Sequence, residues 1–200
     1  DYIRIRANRI VGEDSQMEKV WCGSRGKSMK GANTILAQDG TSDIILYTKA
    51  DILRKNETQE IKHFVDYWKG IKGSLDETLV FDCKLTSYQV LGELNAGESP
   101  VKFITLRKRN SKLLEETARL PDEQWKKVYL PIPKRKHQRF MIHECTVQLK
   151  DCTTPFRQII IKDHGRAQPT FVITNNKSLD VLAILEVYAK RWHIENKLSE

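Results

Sequence analysis

The chain has 200 residues, 40% of them hydrophobic, which is enough for one complete core together with an inserted subdomain. Lysine and arginine number 34 against 26 acidic residues, so the formal charge is +8. This excess favours a polyanionic partner, nucleic acid first, although a surface charged for solubility gives the same balance. The sequence contains no run of the roughly 20 apolar residues that a membrane span needs, and no signal peptide, so we expect a cytoplasmic protein.

The four cysteines are expected to be free, buried thiols rather than disulfides. CxxC pairing is absent among Cys22, Cys83, Cys145 and Cys152. His143 and Cys145 could begin a zinc cluster with Cys152, but the spacing matches no standard zinc site.

Three strands are predicted at the start of the chain. Residues 2–6 alternate between apolar and polar, which indicates a half-buried strand. A polar, glycine-containing segment through Lys30 is predicted as a loop. Residues 32–38 and 43–48 flank the turn sequence DGTS and predict a strand pair joined by a short hairpin.

Helices and strands then alternate. Apolar residues at three- and four-residue spacing predict an amphipathic helix over 57–71. The apolar run TLVF, residues 78–81, leads into Asp82 and predicts a buried central strand. The alternation continues with a helix over 87–95, a strand over 102–106 and a helix over 111–119, and it is typical of an α/β sheet.

The pattern changes after Pro121, where only strand-like segments occur up to Ile173. A last helix follows, with Ser178 as its predicted N-cap. The chain starts within a strand without Met and stops within a helix, which indicates a fragment. We predict a catalytic core over 1–120, a β-rich insertion over 121–175 and a truncated final helix over 176–200.

Two acidic residues lie at positions typical of a binding site. Asp82 closes the central strand, and ligands bind at the carboxyl ends of such strands, although an Asp there can also cap the following turn. Glu195 ends the apolar stripe of the last helix together with Arg191. The two charges could satisfy each other as an i, i+4 pair, or the glutamate could bind metal.

These segments together resemble bacterial insertion-sequence DDE transposases. Residues 80–106, VFDCKLTSYQVLGELNAGESPVKFITL, resemble a block shared by that family, and YAKRWHIE, residues 188–195, matches its Tyr-x2-Arg-x3-Glu signature. DYIRIR and YTKAD are similar to further family segments. The lysine of the signature, seven residues beyond the glutamate, falls outside this chain. The resemblance implies a ribonuclease-H-like mixed sheet flanked by helices, with a β-rich insertion before the last helix.

The resemblance also implies a catalytic site. Asp82 would be the second catalytic acid and Glu195 the third, and Asp1 is the only carboxylate on the opening strand that can serve as the first. The reserve choices for the first acid are Asp39, Asp43 and Asp51. Three carboxylates suit Mg²⁺ or Mn²⁺, and two such ions about 4 Å apart would serve phosphodiester cleavage and strand transfer. No organic cofactor is expected.

DNA contacts are implied at several residues. Tyr188 and Arg191 would position the glutamate and contact phosphate, and Trp125 could stack on an unpaired base, although a tryptophan in the core is more common. A solvated charged surface is the alternative for the basic residues expected to bind phosphate. Those residues are Arg107, Lys108, Arg109, Lys126, Lys127, Lys134 and Arg135.

The expected partners are transposon-end and target DNA, bound by a homodimer in a synaptic complex. Two other functions remain open from the sequence. One is a DNA-binding protein descended from a transposase that has lost catalysis, and the other is a ribonuclease-H-like nuclease that does not join DNA ends.

Overall fold

The computed structural model describes residues 1–11, 17–22, 25–132 and 137–191. The chain forms two units, Asp1–Val101 and a second unit that begins at Lys102. The division into core, insertion and final helix stays a prediction.

The first unit is built around a sheet whose described strands are β1 (Tyr2–Val11), β2 (Glu18–Cys22), β3 (Lys27–Asp39), β4 (Ile45–Ile52) and β5 (Thr78–Val80). Strand β1 lies between β3, which is antiparallel to it, and β5, which is parallel. Strands β2 and β4 both pair antiparallel with β3, at different parts of its length. Strands β1, β3 and β4, then a helix and a parallel strand, follow the ribonuclease-H-like order.

The loop predicted before Lys30 is instead a strand pair. Strand β2 and the start of β3 occupy this segment. Val20 and Cys22 are buried while the residues between and beside them are more exposed, so the pair has a buried face that the polar composition concealed.

The described residues of the first unit form the helices α1 (Glu60–Lys72) and α2 (Tyr88–Leu94), both close to their predicted positions. Helix α1 buries Ile61, Phe64 and Val65 at the predicted spacing. It ends at Gly73, whose φ of +80° lies in the left-handed region, and the amide of Gly73 donates to the carbonyl of Lys69.

The second unit has a sheet with antiparallel neighbours throughout, in the order β6-β10-β9-β8-β7. The strands are β6 (Phe103–Leu106), β7 (Lys126–Tyr129), β8 (Arg139–Val147), β9 (Phe156–Lys162) and β10 (Thr170–Thr174). The strands predicted as an insertion therefore continue the sheet that contains β6.

Helices α3 (Ser111–Ala118) and α4 (Val181–Lys190) complete the second unit. The N-cap of α4 is Asp180 rather than the predicted Ser178. The carboxylate of Asp180 accepts hydrogen bonds from the amides of Leu182 and Ala183, at 2.8 and 3.4 Å. Ser178 instead donates through its hydroxyl and its amide to the side-chain oxygen of Asn176, in the turn before the helix.

Candidate functional site

Asp82 lies at the carboxyl end of β5, in the first unit. The strand residues Leu79 and Val80 and the following Phe81 are fully buried, whereas Asp82 is half-buried. Its carboxylate accepts a hydrogen bond from the amide of Lys84 at 3.1 Å and caps the short 3₁₀ turn Cys83–Leu85. Asp82 therefore caps this turn, which is one of the two roles that the sequence left open for it. It does so at the strand end where a ligand site was predicted.

The parallel register of β1 and β5 places Asp1 far from Asp82. Tyr2 lies opposite Thr78 and Arg4 lies opposite Val80. The amide of Thr78 donates to the carbonyl of Asp1, so Asp1 lies at the start of β5, while Asp82 follows its end. With a rise of about 3.3 Å per residue, the two acids are separated by roughly 16 Å along the strands. The structure does not bring Asp1 and Asp82 together.

The reserve acids have other positions in the first unit. Asp39 accepts hydrogen bonds from Ser42 and Thr41 in the turn after β3, and the Ser42 hydroxyl and amide lower the pKa of its carboxyl. Asp43 forms an ion pair with Arg4. Asp51 is exposed near the end of β4, with φ of +56°. Strand β4 is separated from β5 by β3 and β1, so Asp51 is not on a strand next to Asp82.

Two arginines lie on β1 where the first acid was expected. Arg4 and Arg6 alternate with the buried Ile3 and Ile5, so both arginine side chains belong to the opposite face of the strand. The pairing of β1 with β5 ends at Arg4 opposite Val80, so Arg6 and Asp82 both lie beyond the paired residues.

Arg4 and Arg6 differ in the partners of their guanidinium groups. The Arg4 guanidinium donates to Asp43 at 3.1 Å and to the carbonyl of Gly40, and it lies 5.4 Å from the centre of the Tyr2 ring. The Nη1 of Arg6 is buried, and it has no hydrogen-bond partner among the described residues.

The third predicted acid, Glu195, lies outside the described residues. Its predicted neighbours on the last helix are described, and both are buried: Tyr188 is 7% exposed and Arg191 is 4% exposed. The Arg191 guanidinium lies over the Tyr188 ring, 5.4 Å from its centre. Burial of this degree supports a role in positioning and does not favour direct contact of these side chains with DNA phosphate.

The predicted phosphate-binding residues of the second unit differ in exposure. Arg107 is half-buried and donates to the side chain of Gln158 at 2.8 Å. Lys108 and Arg109 are exposed in the segment before α3. Lys126 and Lys127 are also exposed. They lie on β7, which pairs only with β8 among the described strands. The remaining two, Lys134 and Arg135, lie outside the described residues.

Trp125 is a core residue rather than an exposed stacking platform. It is 7% exposed and belongs to a cluster with Leu113, Ile160 and Phe171. The ammonium group of Lys162 lies 4.0 Å from the centre of its ring and covers it further. The structure therefore does not offer this ring to an unpaired base, and the core role that the sequence left open is the one observed.

The described residues do not fit the predicted centre of three acids and two divalent ions. They contain no group of three or more His, Cys, Asp or Glu side chains arranged to hold a metal ion. Asp82 supplies one suitable carboxylate, but Asp1 is at the other end of β5. This lack of fit concerns the first acid only. Nothing follows for the third acid, Glu195, because it lies outside the described residues.

A family comparison matches residues 7–200 to the family described as "Transposase DDE domain". A search of curated proteins gave no match. In the described residues, no helix is long and apolar enough to cross a membrane.

Solved structures similar to this chain include nucleic-acid enzymes of low sequence identity. A piggyBac transposase, in a synaptic complex with hairpin DNA, has a TM-score of 0.57 at 10% identity over 99% of this chain. The chain spans 40% of the length of that transposase. Endonuclease V from Ciona intestinalis, in complex with a 24mer DNA, has a TM-score of 0.43 at 9% identity, with 99% of this chain and 84% of the endonuclease covered. The piggyBac likeness confirms the ribonuclease-H-like fold class.

Proposed function

Since this chain belongs to the transposase DDE domain family, we propose that it is the catalytic domain of a transposase that cleaves DNA at transposon ends and joins it to target DNA. The observation that carries the proposal is the position of Asp82. This acid follows the buried strand β5, parallel to β1, at the kind of strand end where ligands bind in open sheets.

In this proposal Asp82 and Glu195 are the catalytic acids. Tyr188 and Arg191 position the glutamate from the end of α4, in keeping with their burial. Asp1 is left without this role because the register of β1 and β5 separates it from Asp82.

Members of the family generally use divalent metal ions. We assign Mg²⁺ or Mn²⁺ to Asp82 together with Glu195, because carboxylate oxygens are the hard ligands that these ions prefer.

The proposed substrate is DNA, bound through exposed basic residues of the second unit. Lys108 and Arg109 before α3, with Lys126 and Lys127 on β7, are free to approach a phosphate backbone because their side chains are exposed. The similar piggyBac structure is a synaptic complex, and we propose that this protein likewise brings two DNA ends together as a homodimer. A cytoplasmic location in a bacterium is part of the same proposal.

A second candidate function is DNA binding without cleavage. The observation that favours it is that Asp1 lies at the start of β5 while Asp82 follows its end, so the described residues do not bring a first acid to Asp82.

Nicking of a supercoiled plasmid separates the two functions. The protein is incubated with the plasmid and Mg²⁺ or Mn²⁺, and a labelled oligonucleotide with a free 3′-hydroxyl reports joining. Metal-dependent nicking and joining support the transposase. A protein that retards DNA in a gel but leaves the plasmid closed with both metals is a binder, and nicking without joining indicates a nuclease.

A further inference from the structure

A cleft with apolar walls lies beside helix α4. The described residues that line it all belong to the second unit. Leu185 and Tyr188 come from α4, Phe140 from β8, Ile161 from β9 and Leu106 from the end of β6. Leu185, Tyr188 and Phe140 are at most 7% exposed, so they form the walls of a recess and not an apolar patch on the surface.

Three basic side chains line the same cleft. They are His137, His164 and Arg166. The Nε2 atom of His164 lies 2.9 Å from the hydroxyl oxygen of Thr170, which is another lining residue. Among the described residues that line the cleft, none is Asp or Glu. The cleft therefore combines apolar walls with a positively charged polar side.

The hairpin between β9 and β10 holds His137 at the cleft. Gly165 in this hairpin has a φ of +86°, in the left-handed region that favours glycine. A Cβ atom added to Gly165 would overlap the imidazole ring of His137, so the ring packs against the hairpin only because the residue is glycine. This contact fixes His137 against the loop that carries His164 and Arg166.

The cleft and helix α3 lie on opposite faces of the sheet of the second unit. Leu113 of α3 packs in a cluster with Ile160 of β9, whereas the next residue, Ile161, lines the cleft. Successive residues of a strand point to opposite faces of the sheet. Lys108 and Arg109 come directly before α3, so the DNA contacts proposed for them do not use the cleft. This separation favours a small molecule as the occupant.

The lining selects an amphiphilic anion. A flat apolar ring system fits against aromatic side chains such as Phe140 and Tyr188, because aromatic rings attract one another in stacked and edge-on arrangements. A carboxylate, sulfonate or phosphate group accepts hydrogen bonds from guanidinium and imidazole N–H groups. A cation would be repelled by Arg166.

We propose that this cleft binds a small aromatic anion, with its ring against Phe140 and Tyr188 and its charged group at Arg166 and the two histidines. The inference goes beyond DNA cleavage. Binding is measured without DNA or metal, so a protein that does not nick DNA can still confirm the cleft, and a protein that nicks DNA can still refute it.

The first test uses anilinonaphthalene sulfonate, an aromatic anion whose fluorescence rises in an apolar site. Ala189 of α4 lines the cleft, and Ala189→Leu fills part of it with a residue that favours helix. We expect the affinity for the probe to fall roughly tenfold or more. Ala118→Leu is the matched control, since Ala118 is exposed on α3, and it should bind like the native protein.

Two further variants protect this test. Urea unfolding checks that each variant is folded, and Ala189→Met fills the cleft with a flexible side chain that causes less strain. Ile71→Ser alters an exposed apolar residue of α1, in the first unit, and should leave the affinity unchanged. Native affinity in the folded variants of Ala189, or loss of binding in Ile71→Ser, would overturn the cleft as the site.

The second test concerns the charge. Arg166→Gln should weaken binding of the sulfonate by about 3- to 10-fold and should not affect N-phenylnaphthylamine, which has the same rings but no anionic group. Arg119→Gln, at an exposed position of the same unit, is the control and should bind both probes like the native protein. Equal weakening of both probes by Arg166→Gln would refute the anion site.

A competition experiment tests whether the occupant is a small molecule or DNA. A short single-stranded oligonucleotide is added to the native protein with bound anilinonaphthalene sulfonate, in EDTA. We expect the probe to stay bound. Displacement of the probe by the oligonucleotide would assign the cleft to DNA and overturn the proposal.

Discussion

The backbone amide of Thr78 donates a hydrogen bond to the carbonyl of Asp1, 3.1 Å away. This contact starts the parallel pairing of β1 with β5 and fixes which residue of β1 lies beside each residue of β5. Because Asp82 follows the far end of β5, Asp1 does not lie beside it. One register thus separates two of the predicted acids.

Asp82→Asn is expected to abolish metal-dependent nicking, since it removes the charge and keeps the size of the side chain. The amide oxygen of asparagine can still accept the hydrogen bond from Lys84, so the cap of the 3₁₀ turn is retained. Nicking of supercoiled plasmid and binding of duplex DNA are measured together, and binding should be unchanged.

Asp82→Ala serves as the companion variant, because it removes both the charge and the cap. We expect it to lower the free energy of unfolding by about 1 kcal/mol more than Asp82→Asn, measured with urea. Nicking that survives in Asp82→Asn would remove Asp82 from the catalytic site.

The exposed pair Lys126 and Lys127 is expected to contact phosphate. The double variant to alanine should weaken DNA binding to a similar extent for all sequences and reduce the salt slope by about 2. Fluorescence anisotropy over a range of salt concentrations gives the slope.

Lys177→Ala is the control for this pair, since Lys177 is exposed in the same unit but was not assigned to the DNA surface. The salt slope of DNA binding is compared between Lys177→Ala and a variant that loses one lysine of β7. An equal decrease in both would show a general effect of charge and argue against a contact surface on β7.

Trp125→Ala is expected to destabilise the second unit rather than to act on DNA. Loss of a buried aromatic ring from the cluster with Leu113, Ile160 and Phe171 should cost about 3–5 kcal/mol of unfolding free energy. Trp125→Phe should be far milder, because it keeps a ring and removes an indole N–H that has no partner among the described residues. Weaker DNA binding by Trp125→Phe at unchanged stability would instead support base stacking.

The pair Lys72 and Glu77 should give a stability that depends on pH. Burial acts to raise the pKa of Glu77. The hydrogen bond and charge of Lys72, together with hydrogen bonds from a backbone amide and from Trp68, outweigh this effect and bring the pKa below its ordinary value of 4.5. A carboxylate with a lowered folded pKa stabilises the fold above its ordinary pKa, and the contribution is lost as the pH falls through the lowered value.

The measurement is urea unfolding between pH 3 and pH 7 for the native protein and Glu77→Gln. The difference between them should be largest near neutral pH and shrink on acidification. Glu123→Gln, at an exposed position, is the control and should follow the native protein. A difference that grows as the pH falls would contradict the lowered pKa.

Local sequence patterns predicted the elements well where one face is buried. The spacing of Ile61, Phe64 and Val65 predicted α1, and the run TLVF predicted β5, since burial imposes those periods on the sequence. The pattern failed at β2, where a short strand pair carries few apolar residues. It also missed the Asp180 cap, because neighbouring polar residues before a helix compete for the same role.

The candidate site also has features that the sequence predicted and features that it did not. Asp82 and its place after a buried strand were available from the sequence, because a strand and the residue that ends it are local features. The separation of Asp1 from Asp82 was not available, because no local pattern fixes the register between strands that are separated by more than sixty residues. The burial of Trp125 likewise depended on Leu113 and Phe171, which are distant in the chain.

The sequence by itself determined the family, the order of helices and strands and the basic charge, since each depends on which residues occur and at what spacing. The tertiary structure alone decided that Asp1 and Asp82 lie at opposite ends of β5 and that Trp125 is in the core. The physical reason is that pairing and packing join residues far apart in the chain, and the strand register depends on which faces of all the strands are buried together, which no single segment of sequence determines.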